Sequence, residues 1–282
     1  MLRLLGFLVL ALAASSIHAI DRGYETHEHR TKKMKIAPQL QQPDMEIYIL
    51  GLTIHDNKRT VTFSLLRKET KAPVIFEELA LVHTQRIHAM IIDDSLEDYS
   101  HVHPVATNKP GVYKITFDAK RSTGNYTLWL DITPQKTRKQ LILSSILPFG
   151  KFKPAIIKRV PSMTATVNGY TFKLSFNTPA LIVGEPSMGK VEIFDSQGQP
   201  VKNLEPIMGA YAHIVGFSDD LESLVHIHPM GPEPVNMTDR GGPVLEFHLE
   251  PEKAGFVKLF VQVMINGKEI FAPFGLDIVK GY

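Results

Sequence analysis

The chain has 282 residues, of which 44% are hydrophobic, and a formal net charge of +2. A charge this close to zero gives no reason to expect a polyanion such as nucleic acid as a partner. The sequence contains no cysteine, which excludes disulfides, thiolate metal ligands and thiol catalysis together. Any chemistry must therefore use nitrogen, oxygen or thioether groups, so histidine and methionine are the residues to follow.

The N-terminus has the features of a signal peptide at residues 1–19: an early arginine, an apolar run at 4–14 and small residues at the end. Cleavage after Ala19 is the preferred prediction, and cleavage after Ala14 is the alternative. The apolar run is too short for a transmembrane helix, and no later stretch approaches about 18 apolar residues. We therefore expect a secreted or periplasmic protein with no membrane span. Residues 20–45 are polar and lack apolar periodicity, which predicts a flexible leader.

The rest of the chain consists of short runs rich in β-branched and aromatic residues, separated by turns. These runs predict strands, at 46–50, 60–66, 126–130, 170–176, 190–194 and 256–261. Long helical periodicity is absent, so we expect an all-β chain. Strands of this spacing are typical of immunoglobulin-like or cupredoxin-like β-sandwiches. The predicted organisation is one sandwich at 46–150, a linker at 151–163 and a second sandwich at 164–282.

An internal repeat supports this division, because repeated segments indicate repeated structural units. A shift of 125 positions aligns residues 79–104 with 204–229 without a gap, and eight of the 26 pairs are identical. The same shift matches 148–150 with 273–275, and a shift of 131 aligns Gly124 with Gly255. Two copies of one domain are the simplest explanation.

Three positions in each aligned block are histidine in both copies. The pairs are His88 with His213, His101 with His226, and His103 with His228. A spacing of two points both imidazoles of each His-x-His to the same face of a strand. The preceding histidine lies in another strand-like run, and the polar residues between the runs predict a turn. We therefore expect a hairpin or strand pair to gather one histidine cluster in each domain.

A fourth aligned position pairs His83 with Met208, and both residue types are copper ligands. Imidazole binds Zn, Cu, Fe and Ni, whereas thioether prefers Cu(I), and no carboxylate cage for Ca or Mg is evident. Copper is the first prediction and zinc the second. The asymmetry suggests that the first site prefers Cu(II) or Zn and that the second accepts Cu(I) more readily.

The second block resembles a recurrent pattern of bacterial exported proteins. The residues that carry it are Met208, Gly209, Ala210, Ala212 and His213, then Ser218, Asp220 and Leu221, then His226, His228 and Pro229. The first block is similar but departs from the pattern, with His83-Thr84 in place of Met208-Gly209. The resemblance implies small immunoglobulin-like sandwiches in an exported protein, and it suggests copper or heavy-metal handling.

The predicted function is binding of copper or zinc by a chaperone, buffer or sequestering factor. A chaperone would also have a protein partner for metal transfer. The alternative is an adhesion or interaction protein whose histidines are structural. A third hypothesis is a mononuclear copper or zinc enzyme, although no hydrolase elbow, His-Glu-x-x-His helix or phosphate loop is present. Metal binding predicts that the nitrogens of His213, His226 and His228 lie about 3 to 4 Å apart, and an enzyme also needs a pocket with an acid or base. Structural histidines predict dispersed rings bonded to main-chain carbonyls.

Overall fold

The computed structural model describes residues 44–121, 124–149, 155–227 and 229–281. The predicted signal peptide lies outside the described residues, as do the predicted leader up to residue 43 and residues 151–154 of the predicted linker. Strands dominate the described residues, in which the one helical element is a 3-10 turn at Phe76–Glu78. The prediction of an all-β chain with two tandem β-sandwiches is confirmed. None of the described residues form a helix long and apolar enough to cross a membrane.

The first half of the described chain, residues 44–149, forms two four-stranded sheets. Its strands are β1 (Met45–His55), β2 (Lys58–Arg67), β3 (Ile87–Asp93), β4 (Tyr99–Val102), β5 (Val105–Ala106), β6 (Val112–Asp118), β7 (Asn125–Ile132) and β8 (Leu141–Pro148). One sheet has the order β1-β2-β6-β5 and the other has the order β4-β3-β7-β8. Alternate residues of β2, namely Val61, Phe63 and Leu65, are fully buried in the core of this half, as the two-residue period of a strand requires.

The second half, residues 155–281, repeats this arrangement. Its strands are β9 (Thr164–Val167), β10 (Tyr170–Phe176), β11 (Leu181–Ile182), β12 (Ser187–Phe194), β13 (His213–Ser218), β14 (Leu224–Ile227), β15 (Val244–Leu249), β16 (Gly255–Ile265) and β17 (Lys268–Val279). The sheets have the orders β15-β12-β10-β9 and β11-β17-β16-β13-β14. The order β14-β13-β16-β17 repeats the order β4-β3-β7-β8, so the sequence repeat corresponds to a repeat of strand topology.

The strands β3 and β13 are buried on both faces. In β3, Ala89 and Ile91 belong to the core of the first half, whereas Met90 and Ile92 belong to a cluster that also contains Val215 and Phe217 of β13. We call this group the interface cluster, and its buried members are Met90, Ile92, Leu96, Tyr99, Trp129, Val215, Phe217 and Phe260. One sheet of each half therefore packs through its outer face against the other half.

Candidate metal centre

The antiparallel pairing of β3 with β4 determines where three histidines point. Met90 lies directly opposite His101, and residues opposite each other in an antiparallel pair share a face of the sheet. Side chains two positions apart also share a face, which places His88, His101 and His103 together on the face of the interface cluster. One nitrogen of each ring lies within 4.8 Å of the others. We call these three residues the first triad.

Hydrogen bonds orient two rings of the first triad. Nε2 of His88 donates to the carbonyl oxygen of Val82 at 3.0 Å, and Nδ1 of His101 donates to Oε1 of Gln262 at 2.9 Å. Because both acceptors are oxygens without a proton, the remaining nitrogens, Nδ1 of His88 and Nε2 of His101, carry lone pairs. These two nitrogens face each other at 3.3 Å. Two nitrogens bound at about 2.0 to 2.1 Å to one tetrahedral ion would be about 3.3 Å apart.

The first triad is neutral at physiological pH. Burial lowers the pKa of His88, and burial together with the nearby His226 holds the pKa of His101 well below its usual value. Burial and the neighbouring His88 and His226 lower the pKa of His103 to about 4. Within the described part of the chain, Nε2 of His103 is buried without a hydrogen-bond partner. Neutral imidazoles are the form that binds metal ions, so this site needs no deprotonation before an ion binds.

The second half contributes two further rings to the same place. His213 lies in β13 and His226 in β14, and the register pairs Val215 with His226, so both rings point to one face. Nε2 of His213 donates to the carbonyl oxygen of Ile207 at 3.1 Å, which repeats the contact of His88 with Val82. Nδ1 of His226 donates to Oδ2 of Asp131 at 2.7 Å. His228, the third predicted ligand of this half, lies outside the described residues.

The five described rings form one group, which we call the histidine cluster. The ring centres of His101 and His213 are 5.3 Å apart, and that of His226 is 5.6 Å from both His88 and His101. Within the second half, the centres of His213 and His226 are 5.8 Å apart. The expectation of a separate cluster in each domain is therefore corrected. The predicted faces are right, but in each half this is the face that packs against the other half, so the two sets of rings meet.

His83 and Met208 occupy equivalent tight turns. Residues 82 and 85 bond to each other through their main chains, and residues 207 and 210 do the same. Both central residues of each turn have positive φ, which are 44° at His83 and 68° at Thr84, and 51° at Met208 and 78° at Gly209. A Cβ atom on Gly209 would lie 3.4 Å from Cγ2 of Thr84, so the turns adjoin. The ring centre of His83 is 6.3 Å from that of His213, at the margin of the histidine cluster.

Sequence reasoning missed Asp131 and Gln262, which hold two of the rings. Each is a buried polar residue in a strand made mostly of apolar residues. The shift of 131 positions that aligns Gly124 with Gly255 also aligns Asp131 with Gln262. Polar residues at matched positions of the two strands were a partial signal, which Thr127 and Lys258 share.

A cavity of about 280 Å³ lies beside the second turn. It is lined by Tyr211, Met230, Glu233 and Arg240, among other residues, and no described histidine lines it. Burial lowers the pKa of His83, and the charge of Glu233 partly offsets that effect, so the carboxylate acts on the margin of the cluster. The hypothesis of a metal enzyme therefore stays a prediction.

Comparisons with known proteins identify a family and distant structures. Residues 44–142 and 165–280 match a family model described as "Domain of unknown function (DUF8832)". A search of curated proteins finds no significant match. The chain is 15% identical to the Escherichia coli adhesin FdeC over 84% of this chain and 64% of that one, with a TM-score of 0.26. It is 7% identical to MtrC of Shewanella baltica over 82% of this chain and 68% of that one, with a TM-score of 0.25. It is 16% identical to InvD of Yersinia pseudotuberculosis over 84% of this chain and 58% of that one, with a TM-score of 0.25. These TM-scores are too low to support a functional argument.

Proposed function

The chain belongs to the DUF8832 family, and we propose from the geometry of its own residues that it binds a transition-metal ion in the histidine cluster. The observation that carries this proposal is the first triad, in which one nitrogen of each ring lies within 4.8 Å of the others. Two of those rings, His88 and His101, donate their outer N–H groups to fixed oxygens. Histidine ligands of metal sites are held in this way.

A purely structural role explains the same contacts less well. His88 and His213 do bond main-chain carbonyls, as structural histidines would, but each uses only one ring nitrogen in that bond. The lone pairs of His88 Nδ1 and His101 Nε2 then face each other in a buried site. Two facing lone pairs repel each other, and a protonated ring is disfavoured by burial. A bound cation between them removes the conflict without disturbing the outer hydrogen bonds.

Copper is the proposed ion, and zinc is the second candidate. A set of neutral imidazoles with no thiolate suits Cu and Zn. Of the two adjoining turns, one holds a further imidazole, His83, at the margin of the cluster. The other contains a thioether, Met208, and a thioether favours Cu(I). The ordering of the two metals rests on donor chemistry and on the family resemblance noted in the sequence.

The proposed role is that of an exported copper chaperone, buffer or sequestering factor. The signal peptide predicted at residues 1–19 supports a secreted or periplasmic location. A chaperone would require a protein partner that receives the ion, whereas a buffer or sequestering factor would not. Because His88 and His101 are buried and His103 is half-buried, release of the ion would require either a partner or a local opening of the sheet edge.

Metal titration of the protein, purified without a histidine tag, tests this proposal. We expect Cu(II), and more weakly Zn(II), to bind in competition with a chelator of known affinity. The double variant His101→Gln/His103→Gln should lose at least about 100-fold in affinity, because two of three facing nitrogens are removed. The electron paramagnetic resonance spectrum of the Cu(II) complex should show coupling to several imidazole nitrogens.

The matched control is His55→Gln/His248→Gln, which removes two exposed histidines outside the cluster. This variant should bind with the affinity of the wild type. Circular dichroism should confirm that both double variants remain folded. Failure of the wild type to bind either ion, or equal affinity in both double variants, would refute a metal site in the cluster.

A further inference from the structure

We propose that Asp131 and Gln262 are positioning residues through which each half of the protein holds a metal-binding histidine of the other half. Ion binding and docking of the two halves are then one coupled event. This inference rests on the proposed metal-binding function and deepens it. It concerns side chains that are not themselves ligands.

Two hydrogen bonds cross between the halves at the cluster. Asp131 of β7 accepts from His226 of β14 at 2.7 Å, and Gln262 of β16 accepts from His101 of β4 at 2.9 Å. The side chains of His226 and Asp131 are only 2% and 9% exposed, and His101 and Gln262 are also buried. Both bonds are therefore shielded from solvent. In the low-dielectric interior a hydrogen bond, whether charge-assisted or neutral, is stronger than in water and holds the ring in one orientation.

The two bonds are equivalent contacts between repeat-related positions of the two halves. Asp131 lies opposite His88 in the pairing of β3 with β7, and Gln262 lies opposite His213 in the pairing of β13 with β16. His101 and His226 are the repeat counterparts of each other. Each half thus presents the same pair of positions, and each bond joins the acceptor of one half to the His-x-His of the other.

These bonds determine which nitrogen faces the cluster. An oxygen acceptor at Nδ1 keeps the proton there and leaves Nε2 as the metal-binding atom. Asp131 also accepts from Nε2 of Gln140 at 2.7 Å, and Nε2 of Gln262 donates to Oε2 of Glu269 at 3.3 Å, so both acceptors are themselves held in place. A carboxylate oxygen at His226 and an amide oxygen at His101 therefore play equivalent parts in the two halves.

The coupling has a thermodynamic consequence. If correct docking of the halves raises the affinity for the ion, the bound ion must favour docking by the same factor. Packing of the interface cluster holds the two sheets together. The two hydrogen bonds between the halves then orient the rings of His101 and His226. An ion bound among the rings would in turn hold the halves in register.

Metal titration of Asp131→Ala and Gln262→Ala in the full chain tests the inference, with Cu(II) and Zn(II) as the probes. Each variant should lose about 10- to 100-fold in affinity, although neither removes a ligand. Asp131→Asn retains an acceptor oxygen and should recover most of the affinity.

The matched controls are Thr127→Ala and Lys258→Ala, each four residues away on the same face of β7 or β16. Their affinities should equal that of the wild type. Nitrogen-15 NMR of the imidazoles adds a readout that a loss of packing alone would not change: Asp131→Ala should shift the tautomer of His226, and Gln262→Ala that of His101. Asp131→Asn should restore the original tautomer.

The outcomes separate the two proposals. Binding by the wild type, with loss in the His101→Gln/His103→Gln variant but unchanged affinity and tautomers in Asp131→Ala and Gln262→Ala, would overturn this inference alone. Absence of binding by the wild type would refute the proposed function and this inference with it. An affinity of Asp131→Asn no higher than that of Asp131→Ala would also overturn the positioning role.

Discussion

Replacing Phe217 with alanine is expected to lower the free energy of unfolding by about 3 to 5 kcal/mol, the range for deleting a buried aromatic side chain. Phe217 is fully buried in the interface cluster. Its ring centre lies 5.3 Å from that of Tyr99 in the first half and 6.3 Å from that of Phe260 in the second. The substitution leaves a cavity between the halves, and the surrounding sheets are too rigid to close it fully.

Urea denaturation followed by circular dichroism measures this loss. Tyr48→Ala is the control, because Tyr48 of β1 is an aromatic residue that is 59% exposed, and its replacement should change the stability by no more than about 0.5 kcal/mol. A cost below about 1 kcal/mol for Phe217→Ala would contradict tight packing of the halves. Phe217 shares a face of β13 with His213, so the variant should also bind metal more weakly than the wild type.

Most of the fold could be predicted from the sequence, because short β-branched runs determine strands locally. The runs at 60–66 and 170–176 coincide with β2 and β10. The contact between the halves could not be predicted, since it depends on which faces of separate sheets meet. The run from Ile87 to Asp93 is buried at every position, so it lacks the alternation that distinguishes a core face from a solvent face. Its continuous burial indicates a second packing partner but does not identify it.

The histidine pattern predicted part of the candidate site. The two-residue spacing of His101 and His103 places both rings on one face, and the hairpin turn brings His88 beside them, as expected. Two separate sites were expected because the sequence repeat describes each copy alone. The merged cluster depends on contacts between copies, such as that of Met90 with the second half. Asp131 and Gln262 were missed for the same reason, since their partners lie in the opposite half.

The metal-free protein is expected to lose stability as the pH falls below about 6.5. Burial lowers the pKa of His88, of His101 and of His103, the last to about 4, whereas the unfolded chain has histidine pKa values near 6.5. Between these values the unfolded state binds more protons than the folded state, so the free energy of unfolding decreases as the pH decreases. Above about pH 6.5 the rings are neutral in both states, and their contribution no longer changes.

His103 alone should account for a loss of about 2 kcal/mol between pH 7 and pH 5, because each pH interval of one unit below the unfolded pKa costs about 1.4 kcal/mol. Urea denaturation in the presence of a chelator, at pH 7, 6 and 5, measures the decrease in the free energy of unfolding. These pH values lie above the pH range in which most carboxylates titrate. The variant His103→Gln should show a shallower decline, whereas His248→Gln, which changes an exposed histidine, should follow the wild type. Parallel curves for the wild type and His103→Gln would mean that the ring of His103 is protonated as easily in the folded protein as in the unfolded chain. That result would contradict the burial of Nε2 of His103 within the first triad.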